Sequence, residues 1–145
     1  MVSAVIDKTV RHAYTAGECT ELVRAAVRDV HLDFSSKFYV WDRPCGDGDN
    51  DELPPSQLRI ATDPVAGYGA LNWAGFEGSE DDGCFDSCTE SPPANPPRIR
   101  FDIQSDYYFP ADTLLPLDVI QDALFEYCRT GRRPSNVQWQ EGPYY

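Results

Sequence analysis

The sequence predicts an α+β domain, a mainly antiparallel sheet of about six strands carrying two packed helices. Two segments place apolar residues at helical spacing, and between them short β-branched and aromatic runs are punctuated by glycine and proline turns. The chain has 145 residues, enough for one domain to bury about two-thirds of its unfolded surface without disulfide staples. The 12 prolines, 10 glycines and 12% aromatic residues also favour a sheet-rich domain over a helical bundle.

Val2 to Val10 alternates imperfectly and is expected to be the first strand, continuing toward Tyr14. Thr15 and Glu18 have capping-box spacing, and Leu22, Val23, Ala26, Val27 and Val30 follow on one helical face. The first helix is therefore predicted over 18–30. Lys37 to Trp41 reads as a second strand, 57–62 as a third, and Tyr68 to Gly75 as a fourth that forms a hairpin with it. The acidic loop 42–55 separates the second strand from the third. The stretch 76–97 reads as a long acidic loop, of a length that in compact domains is functional or disordered. Arg98 to Ile103 alternates cleanly as a fifth strand.

Pro116 and Asp118 then open a second helix, predicted over 117–130, on which Leu117, Ile120, Leu124 and Tyr127 form the apolar stripe. Gly131 supplies a left-handed stop and Pro134 prevents continuation. A last strand is expected over 136–140, with Trp139 in the core.

Net charge is −12, and its placement is more informative than its size. Asp42 to Glu52 carries five acids against one arginine, and Glu77 to Glu90 carries six acids and no base. The rest of the chain is near neutral, with 13 acids and 11 bases. Such a surface repels nucleic acid and anionic membranes and steers a basic partner to the two loops. The opening residues lack the basic start and long apolar core of a signal peptide, and no apolar run is long enough to span a bilayer, so the cytoplasm is the expected compartment.

Catalytic and metal chemistry find little footing. Asp47, Asp49 and Asp51 match the first positions of a calcium loop, but Glu52 stands where the turn glycine belongs and Leu58 where the bidentate glutamate belongs. Cys84 and Cys88 lack both zinc spacing and a second ligand pair, leaving a local bridge between them as the lesser alternative to free thiols. The five cysteines are odd in number and scattered, which fits reduced thiols. No nucleophile elbow or dinucleotide fingerprint is present. No catalytic residue, cofactor or metal is therefore assigned.

The order Tyr-Phe-Pro, Pro-Leu, amphipathic helix, Thr-Gly-Arg-Arg-Pro and Val-Gln-Trp-Gln resembles the carboxy-terminal signature of the Imm1 family of bacterial immunity proteins. It falls on Phe109, Pro110, Pro116, Ala123, Gly131, Arg133, Pro134 and Trp139, with Tyr39, Leu71 and Trp73 matching in outline. The resemblance implies a non-enzymatic protein that binds and neutralises a cognate polymorphic toxin, commonly a nucleic-acid deaminase. Charge then suggests the residues. Asp47, Asp49, Asp51, Glu52, Glu80, Asp81 and Asp82 are candidate phosphate mimics for a basic toxin cleft, with Phe85 and one of Trp41 or Trp73 as apolar anchors. Phe85 could equally pin its loop to the body. Two other readings remain open, a carboxylate- or metal-dependent small hydrolase using acids near 80–90 and a generic acidic regulatory module.

Overall fold

A computed structural model describes residues 1–32, 34–43 and 53–142. Its strands are β1 (Val2–Ile6), β2 (Thr9–Ala13), β3 (Ser36–Val40), β4 (Ser56–Asp63), β5 (Tyr68–Gly75), β6 (Gly83–Cys88), β7 (Leu115–Pro116) and β8 (Gln138–Glu141). The helices are α1 (Ala16–Arg28) and α2 (Leu117–Thr130). All pairings are antiparallel, in the order β2-β1-β3-β4-β5-β6-β8, with the short β7 beside the start of β5. The α+β class and both helices follow the sequence expectation. Among the described residues no helix is long and apolar enough to cross a membrane.

Alternation puts Val2, Ala4 and Ile6, Phe38, Leu58 and Ile60, and Leu71 and Trp73 into one core with the apolar stripes of α1 and α2. Thr15 caps α1 by accepting the Glu18 N–H at 3.1 Å. Gly131, at φ 69°, ends α2 by donating to the Tyr127 carbonyl at 2.7 Å. Arg28 near the end of α1 binds Asp118 at the start of α2, so the helices run antiparallel across the sheet.

Three expectations are corrected. The first strand is two, because Asp7 and Lys8, at φ 48° and 67°, turn the chain between Ile6 and Thr9. This turn uses neither asparagine nor glycine, so composition gave no warning. Within the expected long loop, 83–88 is strand β6, which lacks an apolar alternation because Cys84 and Asp86 occupy one face and Phe85 and Ser87 the other. The expected strand 98–103 is not in the sheet. It makes a single bridge, Arg100 to Tyr108, and lays Ile99 and Phe101 over Ala61 and Ala70 on the helix-free face. Its alternation records packing over a sheet instead of membership in one.

The two layers are joined at Tyr127, which is fully buried and meets Trp73 edge to face at 5.4 Å. Its hydroxyl accepts the Val40 N–H at 3.2 Å and lies 2.9 Å from Ser56 Oγ, tying α2 to the ends of β3 and β4. Tyr127→Phe keeps the ring and removes these bonds, so it should destabilise the fold by about 1–3 kcal/mol. A urea midpoint lowered with unchanged slope is the expected result; an unaltered midpoint would show the hydroxyl to be dispensable.

Candidate functional site

The sheet register brings the flanks of the first acidic loop and the second acidic segment to one end of the sheet. β3 finishes at Val40, β4 begins at Ser56, and Ser56 pairs with Gly75 at the end of β5. The flanks of the first loop and the whole of 76–82 therefore leave the sheet side by side, linked by the Phe76 N–H donating to the Pro55 carbonyl at 3.0 Å. The end of α2 arrives at the same place, with Gly131 against the Val40 side chain. Asp47, Asp49, Asp51 and Glu52 lie outside the described residues.

On the near flank, Trp41 is half-buried and its carbonyl accepts the Met1 amino group at 2.9 Å. Arg43 stacks over the Trp41 ring at 4.5 Å and pairs with Asp42 at 2.9 Å. On the far flank, Leu53 is 72% exposed, an apolar side chain set among acids.

Asp81 organises the second segment. Its carboxylate accepts from Arg132 Nε at 2.8 Å, Arg132 Nη2 at 3.3 Å and the Arg133 N–H at 3.1 Å. Its carbonyl accepts from the core tryptophan, Trp73 Nε1, at 2.8 Å. The approach is so close that a Cβ on Gly75 would stand 1.8 Å from that carbonyl oxygen, so only glycine fits there. The hydrogen bond from Arg132 holds the Asp81 carboxyl below its usual 3.8, with lesser help from the Arg133 N–H and against some desolvation. Glu80 pairs with the same guanidinium, and both Glu80 and Asp82 are exposed.

The predicted aromatic anchors separate. Trp73 is 1% exposed and belongs to the core, where it offers a partner no surface. Phe85 sits on β6, half-buried against the same core, with the Arg133 guanidinium 4.6 Å above its ring. This packing holds its segment to the body, one of the two roles expected for it. Trp139 is likewise half-buried against the core, donating to the Pro134 carbonyl at 2.9 Å. Trp41 keeps a partly open face. Sequence reasoning missed Arg132 and Arg133 as counter-charges; the Gly-Arg-Arg-Pro run carries that signal besides marking a helix stop and the family signature.

The helix-free face carries a second polar cluster. Lys37, Arg59, Asn72, Asp86 and Gln140 are successive cross-strand partners in one row. Asp86 is 2% exposed, and its two oxygens accept from Asn72 Nδ2 at 2.8 Å and Tyr107 Oη at 3.1 Å. Burial pushes its carboxyl upward, partly offset by those two donors. Arg59 donates to Asp102 at 2.8 Å and to Ser35 Oγ at 2.9 Å while lying 4.0 Å over the Phe101 ring. A raised carboxyl is what the hydrolase reading required, but Asp86 is buried, with one oxygen bound to Asn72 within the sheet and the other to Tyr107 of the segment that covers it. The histidines are also committed. His31 faces Asp7 at 2.8 Å and the Ala25 carbonyl at 2.7 Å, and His12 faces Ser3 Oγ at 2.8 Å. Cys84 and Cys88 are free thiols, and among the described residues no three His, Cys, Asp or Glu side chains group to hold a metal.

Because the folded-state carboxyl of Asp81 is depressed, its contribution to stability is fully present above the usual 3.8 and is lost as pH falls below that value and through the depressed one. Asp81→Asn should therefore lower stability near neutral pH by about 1 kcal/mol, a figure discounted for the exposed guanidinium. Thermal midpoints measured down the acid limb should show this difference shrinking below pH 3.8; a constant gap would place the effect in packing and not in charge.

Among curated proteins no relative matches the chain. The family model described as Immunity protein Imm1 matches residues 7–141, from the turn between β1 and β2 to the end of β8, taking in both helices, the Asp81 contact and the Gly131 to Pro134 stop. With nearly its whole length inside that match, the chain belongs to the Imm1 family of immunity proteins.

Proposed function

We propose that this chain neutralises its cognate toxin, a basic enzyme acting on nucleic acid and of the deaminase type, by occupying the toxin's substrate cleft. Family membership implies an immunity protein directed against a toxin. The observation that carries the finer reading is that segment 76–82 and the flanks of the first acidic loop leave the same end of the sheet, where β3 and β5 finish, β4 begins and α2 ends. A cleft that holds phosphates must present cations, and a surface of fixed carboxylates competes for them directly.

The acids differ in what they can offer. Asp81 is consumed in holding the segment, and Glu80 shares Arg132 with it, so their charge is partly answered within the chain. Asp82 and Glu77 are exposed beside them, and Asp47, Asp49, Asp51 and Glu52 add four more negative charges in the neighbouring loop. Leu53 and the open face of Trp41 supply apolar contact at the same end. A rigid frame under these groups lowers the ordering cost on binding. The inhibitor acts in the cytoplasm of the cell that makes the toxin.

The test is co-expression with the product of the adjacent gene, followed by affinity capture and assay of its deaminase activity. A stoichiometric complex with lost activity is expected; a partner that stays free and toxic would overturn the reading. Two charge reversals then rank the segments, Asp47/Asp49/Asp51→Lys and Glu80/Asp82→Lys, with Asp81 left in place as a structural residue. Each should weaken binding by about tenfold or more through the loss of close charge pairs and should flatten its dependence on salt. Unchanged affinity and salt dependence in both would sink the electrostatic mechanism.

A further inference from the structure

Where α2 finishes, Cys19 in the first turns of α1 lies across from Cys128 in the last turn of α2. The Arg28–Asp118 and Arg28–Gln121 contacts set the antiparallel register of the helix pair, which puts Cys19 opposite Cys128, and both line a cavity of about 430 Å³ whose walls include Val2, Ala13, Tyr14 and Phe125. Tyr14 and Arg129 on its rim are exposed, so the thiols are reached from solvent. Both cysteines are half-buried, unlike the buried Cys84.

We propose that Cys19 and Cys128 form a thiol–disulfide exchange site that accepts small disulfides of the glutathione type and closes to an intramolecular bridge between α1 and α2. The surroundings favour this chemistry. Met1, Tyr14 and Arg129 are the titratable and charged groups lining the cavity, and no carboxylate is among its walls. The positive end of α1 also supports a thiolate at its first turns. The facing Cys128 thiol lowers Cys19, while Cys19 and burial push Cys128 up. Cys19 is thus the attacking thiol and Cys128 the resolving one.

The Cys19 thiolate attacks one sulfur of the small disulfide, whose S–S bond breaks and releases one small thiol. Cys128 then attacks the Cys19 sulfur of the mixed disulfide, its proton passing to the second departing thiolate. Two protein thiols are oxidised and one disulfide is reduced to two thiols. A lowered thiol holds more thiolate near neutral pH than an ordinary one, so Cys19 is expected to react faster than an ordinary exposed cysteine.

The full chain, freshly reduced, is treated with oxidised glutathione and its peptides are mapped by mass. The expected product has lost two hydrogens, links the Cys19 and Cys128 peptides, and reverts with dithiothreitol. The rate should rise with pH through about 7. Cys128→Ser should stop at a glutathione adduct on Cys19, and Cys19→Ser should abolish the fast reaction. The bridged chain should melt roughly 5–15 °C higher than the reduced one, since the bridge closes a long loop. The proposal is overturned if Cys19 stays unmodified in the folded chain, if the wild type accumulates the adduct without a bridge, or if the bridge forms to Cys45, Cys84 or Cys88. The wild-type peptide map decides these outcomes even where a variant folds poorly.

Discussion

The acidic end of this domain depends on one residue. Asp81 is held by its carbonyl from inside, through Trp73 Nε1, and by its carboxylate from the end of α2, through Arg132 and the Arg133 N–H. The two attachments reach different layers of the fold, the sheet core and the helix stop. Because Trp73 also packs on Tyr127, the bonds that fix α2 over the sheet and those that fix the acidic segment share one buried joint. Gly75 completes it, as the position where any side chain would strike the Asp81 carbonyl. A segment that composition alone marks as flexible is thereby anchored at its middle, and β6 can pair with β5 immediately after it.

What was legible in the sequence follows from whether the signal was local. The second helix could be read to its ends because Pro116, the apolar stripe and Gly131 all lie within its own length. The β4–β5 hairpin was legible for the same reason, two β-rich runs about a turn of glycine and proline. The β1–β2 turn was not, because two non-glycine residues adopt the left-handed conformation there and register with Ala13 and Val2 decides it. β6 was hidden because it owes its place to pairing with β5 and β8, with only Phe85 among its residues showing a large apolar side chain. The candidate site was legible as charge but not as pairing. Nothing local connects Asp81 to Arg132, which lies 51 residues further on.

The two polar clusters of the domain use charge differently. On the helix-free face, Asp86 and Arg59 of the sheet are buried and bond Tyr107 and Asp102 of the 98–109 segment, which fixes a covering layer over the sheet. Removing one partner there would leave the other costly to keep buried, which is why the network behaves as framework. At the acidic end the charges stand in water, where each pair contributes little to stability and where carboxylates remain available to an incoming cation. Burial thus separates a structural set of acids from a presented set, a division that net charge does not reveal.

That division sets stability against binding at one end of the molecule. Among the described residues there, Asp42, Glu77, Glu80, Asp81 and Asp82 stand against Arg43, Arg132 and Arg133, and the neighbouring loop adds acids without adding bases. Like charges crowded together repel and weaken the folded state, yet the same crowding raises the potential that draws a basic partner. Added salt therefore works in opposite senses on the two properties, relieving repulsion within the chain while screening the attraction to a partner. Arg132 limits the conflict by answering Asp81, which must stay fixed, and the exposed Glu80 beside it. A protein built in this way would tolerate its own charge best when a partner's cations cover it, so the toxin on the proposed reading would complete the electrostatics of its inhibitor.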